Sequence, residues 1–197
     1  KKSATELETE QAAMQWALQE AQFSVPLLEQ RSDSALVDVA LLFRTGAIAD
    51  PPGKAGLAAL TAAMITDGGS RLRTREQLQK ALYPLAAPFV AQVDKEMLRF
   101  GGTVHRDNLE AWWAIVHEML TDPGFRAEDF ARIRQQQVNA VRDSLRANND
   151  EELGKELLYE QVYGDAHPYG RLTSGHAGDL ESITLDDVRR FHRTQLV

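Results

Sequence analysis

The sequence predicts an α+β domain with a mostly antiparallel sheet covered by helices. Short apolar runs are paired across turn-forming residues, and helical segments interrupt them without regular β-α-β alternation. The composition, 43% apolar and 26% charged over 197 residues, is that of one globular domain with a real core.

Leu7 to Gln22 lacks Gly and Pro and mixes Ala, Gln and Glu with Met14, Trp16 and Leu18, which predicts a leading helix within residues 1–22. A strand pair is expected next, Phe23–Gln30 and Ala35–Phe43, joined by the turn residues Arg31-Ser32-Asp33-Ser34. After a loop through Thr45-Gly46 and Asp50-Pro51-Pro52-Gly53, Leu57–Ile65 reads as an Ala-rich apolar helix stopped by Asp67-Gly68-Gly69.

Thr74–Leu85 suits a helix with Thr74 as N-cap and Leu78, Leu82 and Leu85 on one face. A second hairpin is expected from Phe89–Val93 and Met97–Val104 around Asp94-Lys95-Glu96. Helices follow at Asn108–Leu120, at Ala127 to about Asn148 and at Glu151–Tyr163. A last one, Leu185–Thr194, has Ser182 and Thr184 available as caps and Asp186 and Asp187 at its positive end.

Several functions are excluded at this level. A net charge of -7 gives no basic surface for phosphate backbones, so nucleic acid is not an expected partner. No apolar run is long enough for a membrane-spanning helix. Without cysteine there is no disulfide, thiolate metal site or cysteine nucleophile, and the compartment stays open; a bacterial envelope or an organelle is compatible with that absence. Gly68-Gly69-Ser70 lacks the spacing of a phosphate-binding loop, and His117-Glu118 is followed by Met119-Leu120-Thr121, so no zinc-binding His pair forms there. Trp112 and Trp113 cannot both face inward on one helix, so one is expected at the surface.

Four stretches occur in a telling order: Leu42-Phe43-Arg44-Thr45-Gly46-Ala47, Asp50-Pro51, Lys54-Ala55-Gly56-Leu57-Ala58 and His167-Pro168-Tyr169-Gly170. A fifth is Leu180-Glu181-Ser182-Ile183-Thr184, followed by Asp187-Val188. With these the chain resembles the pitrilysin/insulinase family of zinc peptidases over Phe23 to Thr194. The resemblance implies a zinc-binding His-x-x-Glu-His helix after Gly56-Leu57-Ala58, with two His ligands at i and i+4 and a Glu that polarises the attacking water.

The matching positions are Ala59, Leu60, Thr61, Ala62 and Ala63, so both imidazoles and the base are replaced by methyl groups. The third ligand that the resemblance implies, a Glu on a later helix, falls near Asn139 or Ala140, within a stretch from Phe130 to Arg142 that has no acidic residue. No cofactor is therefore expected in this chain, although active relatives carry zinc.

In the family an extended substrate pairs with an edge strand beside the zinc helix, and Phe89, Val90, Ala91, Gln92 and Val93 match that strand. The reading is a catalytically inactive homologue that binds peptide or protein, either by self-assembly or as the partner of an active peptidase subunit. The alternatives are an active zinc metalloendopeptidase whose metal site lies in another domain or subunit, and a purely structural scaffold. Residues 23–197 are expected to form the first half of a two-half unit within a longer chain or assembly, consistent with a start at Lys1 rather than Met and an end at Val197 just after a helix.

Overall fold

A computed structural model describes residues 26–30, 33–144, 150–164 and 167–196. It divides into two units, Lys1–Ser34 and Ala35–Val197. The leading helix expected at 7–22 lies outside the described residues. Of the strand expected at Phe23–Gln30, residues 26–30 carry no regular structure, and Pro26 has no N–H to give to a ladder.

Within the second unit three strands make one antiparallel sheet in the order β1-β3-β2: β1 is Leu36–Phe43, β2 Val90–Val93 and β3 Leu98–His105. The pairing runs from Leu36↔His105 to Phe43↔Leu98 on one side of β3 and from Val90↔Gly101 to Val93↔Leu98 on the other. Burial alternates along β1 and β2, as expected when one face of a sheet meets the core. Phe89, one residue before β2, stacks on Phe100 at 5.8 Å and meets Trp112 edge-on at 6.3 Å, so its ring closes the core under the sheet.

Seven α-helices are described: α1 Leu57–Asp67, α2 Arg75–Leu82, α3 Leu109–Thr121, α4 Ala127–Asn139, α5 Asp150–Tyr163, α6 Ala177–Ser182 and α7 Leu185–Gln195. Helix α1 is the hub. It packs against α7, α4, β2 and α3, and it buries Leu57, Leu60, Met64 and Ile65 in the same core as Phe100 and Trp112. Trp112 is fully buried while Trp113 is 40% exposed, which settles the adjacent pair.

Helix α4 does not run on as α-helix towards Asn148 but widens into a π-helical turn at Ala140–Ser144. Helix α6, six residues long and containing Gly178, was too short to leave a periodic trace in the sequence.

Capping boxes start two of the helices. Thr74 Oγ1 accepts the Gln77 N–H while the Thr74 N–H bonds Gln77 Oε1 at 2.8 Å. At α7, Thr184 Oγ1 accepts the Asp187 N–H at 3.2 Å, and Asp187 Oδ2 accepts the Thr184 N–H at 2.9 Å. Ser182, the other candidate cap, instead donates its hydroxyl to Gly53 O and Asp179 O.

Asp187 also pairs with Lys54 across 3.1 Å, tying the entry of α1 to the start of α7. Desolvation would raise the Asp187 carboxyl, but the Thr184 and Lys54 hydrogen bonds outweigh it and hold the pKa down at about 2. A carboxyl whose folded pKa lies below its unfolded value of 3.8 stabilises the fold above that value, and the gain is lost as pH falls towards 2. Asp187→Asn is therefore expected to lower stability by about 1–2 kcal/mol at pH 7, with the difference closing as both proteins are acidified to pH 2–3. Denaturant titrations across pH check this, and a gap that stays constant with pH contradicts it.

Candidate functional site

Of the residues singled out by sequence, Ala59, Ala62 and Ala63 lie on α1 and Val90, Ala91, Gln92 and Val93 on β2 with Phe89 just before it, while Asn139 and Ala140 lie where α4 ends; α1 owes its position to how it begins. Asp50 is buried and lies ahead of the helix, where its Oδ2 accepts the Gly56 N–H and its Oδ1 the Ala58 N–H, each at 2.8 Å. A carboxyl there satisfies amides that the first helical turn leaves without partners and meets the positive end of the helix dipole.

Burial pushes the Asp50 carboxyl up to about 7, against the lowering pull of the Ala58, Gly56 and Leu57 amides and of the Arg171 charge. Arg171 also donates to Asp50 O and Ile48 O, and Lys95 Nζ donates to Arg171 O at 2.5 Å. Two left-handed glycines complete the joint. A Cβ on Gly56 (φ 93°) would sit 2.7 Å from Leu180 Cδ2, and one on Gly175 (φ 78°) 2.2 Å from Ala55 O, so the loop after Leu172 can press onto the start of α1 only without side chains there.

From that anchor α1 presents Ala59 and Ala63, one turn apart and half-buried, on one face, with Leu60, Thr61 and Ala62 buried beside them. Methyl groups offer no lone pair to a metal and no site for a proton. Asn139 and Ala140 are exposed at the end of α4, where the helix passes into its π turn. Among the described residues no group of three or more His, Cys, Asp or Glu could hold a metal ion. The methyl groups at the α1 face thus do not fit zinc.

Strand β2 lies against α1 and is an edge of the sheet among the described residues. Across the hairpin Asp94 donates its N–H to Met97 O at 2.8 Å. Because main-chain N–H groups alternate along a strand, Val90 and Gln92 also point theirs towards β3, while Ala91 and Val93 point theirs to the open edge. Side chains alternate in the perpendicular direction: Ala91 and Val93 face α1, and Val90 and Gln92 face solvent.

Asp50 was visible in the sequence only as part of a motif. Its role as the anchor of α1, and those of Arg171 and of the Gly56–Gly175 contact, carry no local signal because their partners are 6 to more than 100 residues away. Of the five histidines, His176 bonds Glu160 Oε1 at 3.1 Å and His192 bonds Leu120 O at 2.8 Å.

A family model described as insulinase (peptidase family M16) matches residues 25–173. Among solved structures, the inactive domain of a peptidase M16 from Pseudomonas fluorescens superposes with a TM-score of 0.72 at 26% identity, over 82% of this chain and 39% of that one. A protease from Helicobacter pylori gives 0.70 at 18% identity over 82% of this chain and 38% of that one, and pitrilysin 0.69 at 19% over 83% and 18%. The last two likenesses concern the fold alone. The chain spans less than two fifths of the length of each of these relatives. No curated protein matches it.

Proposed function

As this chain belongs to the insulinase family, peptidase family M16, and resembles an inactive domain of that family, we propose that it is a non-catalytic peptide-binding member that works beside an active peptidase subunit or domain. One observation supports the reading: the open edge of β2 runs beside the α1 face that carries Ala59, Ala62 and Ala63, where the resemblance to the family would place two imidazole ligands and the general base. Main-chain pairing of an extended peptide to a sheet edge needs no metal, so this part of the family's equipment outlasts the loss of the chemistry.

The direct test is a titration of the chain with an extended, unstructured peptide in the presence of a chelator. Saturable binding that the chelator leaves unchanged is the expected result. Binding that requires added zinc, or about one zinc per chain surviving a chelator wash, overturns the reading.

Restoring the motif in the triple variant Ala59→His, Ala62→Glu, Ala63→His is expected to give no peptide hydrolysis. A catalytic zinc site takes three protein ligands with partners to orient them, and Asn139 and Ala140 supply no carboxylate. Chelator-sensitive turnover by the triple variant is the contrary outcome.

A further inference from the structure

Helix α7 ends in basic residues. Arg189, His192 and Arg193 stand three and four positions apart and share one face of its last turns. That face borders an open cavity of about 310 Å³, whose other wall is the loop from Asp122 to Phe125 between α3 and α4.

The loop is held from behind. Gly124 gives its N–H to Gly69 O at 2.9 Å, and the Arg126 guanidinium packs so closely on Gly124 that a Cβ there would lie 2.5 Å from Nη1. Arg126 bonds only carbonyls, Ser70 O at 2.7 Å and Gly68 O at 3.4 Å among them, so its charge is not neutralised. Phe125 takes φ 41°, a left-handed conformation that bulky residues avoid. It is kept there by Arg189, whose Nη2 bonds Phe125 O at 3.2 Å, and by the His192 ring, edge-on at 5.4 Å.

Charge around the cavity does not balance. Asp122 is its one lining carboxylate among the described residues, and Arg71 Nε already holds it with bonds of 2.8 and 3.0 Å. Arg189 pairs with Asp186 at 3.1 Å, but that carboxylate is 89% exposed and water screens it. Among the described residues no carboxylate pairs with Arg126 or Arg193, and Arg193 keeps its whole fork of donors uncommitted. Cations at the end of α7 favour its dipole, but Arg126 is the N-cap of α4, where a positive charge is unfavourable.

We propose that this cavity docks an acidic side chain, Glu or Asp, presented by a partner protein. A carboxylate placed before Arg193 takes two parallel N–H···O bonds from its fork, while Arg189 and Arg126 add positive potential from the side and from behind Gly124. The open mouth suits a side chain on a protruding segment better than a small molecule, whose sites enclose most of the ligand. On a chain of net charge -7 the cavity is a local reversal of sign, so an acidic segment is drawn to this place and repelled by the rest of the surface. Docking here is independent of the open edge of β2, and either can fail without the other.

The experiment is an NMR titration of the chain with short peptides blocked at both ends and identical except for one central Glu or Gln, followed at the Phe125 amide and the His192 ring. The Glu peptide is expected to shift these signals saturably and to bind roughly fivefold tighter than the Gln peptide, a difference that salt at about 0.5 M should remove. Arg193→Gln, at an exposed position, should bring the two peptides to equal affinity with an unchanged unfolding midpoint. Arg193→Lys keeps the charge without the fork and should retain only part of the difference. Ala91→Pro should leave it intact.

Equal affinity for the two peptides in the parent chain, or a preference for Glu that survives Arg193→Gln, overturns the proposal. If inorganic phosphate moves the same signals at lower concentration than the Glu peptide, the cavity is a phosphate site and the proposal falls. It falls equally if the Gln peptide with a free C-terminal carboxylate binds tighter than the blocked Glu peptide, which makes the cavity a site for chain ends.

Discussion

Asp50→Ala is expected to lower folding stability by about 3 kcal/mol at pH 6, because it strips the acceptor from two buried amides, each costing on the order of 1–3 kcal/mol when left unsatisfied. Among the described residues the amides of Gly56 and Ala58 have no other acceptor at the start of α1, and α1 is the helix against which α7, α4 and β2 pack. Loss of the cap thus loosens the element that carries the rest of the core.

The pH dependence has a definite sign. A carboxyl raised from 3.8 to about 7 in the folded state contributes stability that is complete below 3.8 and is lost as pH rises through about 7, where burial has to accommodate the charge. The gap between the parent and Asp50→Ala should therefore narrow between pH 6 and pH 8. Urea unfolding at both pH values measures it. Equal stability at pH 6, or a gap that widens on going to pH 8, contradicts the assignment.

The second large effect is on binding. Ala91→Pro removes one of the two N–H groups that β2 turns to its open edge, and the ring also intrudes on a strand laid alongside. The N–H lost is not one that pairs with β3, so the hairpin keeps its ladder and the fold stays cooperative.

Affinity for an extended peptide is expected to fall at least tenfold, while far-ultraviolet circular dichroism and the unfolding midpoint stay close to the parent values. Gln92→Pro is the useful contrast: its N–H points into β3, so it should damage the sheet itself. Unchanged peptide affinity in a well-folded Ala91→Pro protein rules β2 out as the binding edge and favours a scaffold role.

Much of this protein is legible in one dimension because the relevant physics is local. Periodicity placed α1, α3 and α7 within one or two residues of their observed ends, and the apolar runs around Asp94-Lys95-Glu96 located the β2–β3 hairpin. The capping box of α2 follows from Thr74 and Gln77 being three apart. That Ala59, Ala62 and Ala63 stand where the resemblance places two His ligands and a Glu base is read from residue type alone, and a methyl group is neither ligand nor base in any fold.

Tertiary structure decided the rest, where the partners are far apart in the chain. The Pro26–Gln30 segment has strand-like composition yet no strand, since a ladder needs a neighbour and a donor as well as apolar residues. Which N–H groups of β2 face outward depends on the register against β3, and a shift of one residue would exchange Ala91 for Val90. Asp50 became the anchor of α1 only when the loop folded its carboxyl over the helix end and burial raised its pKa.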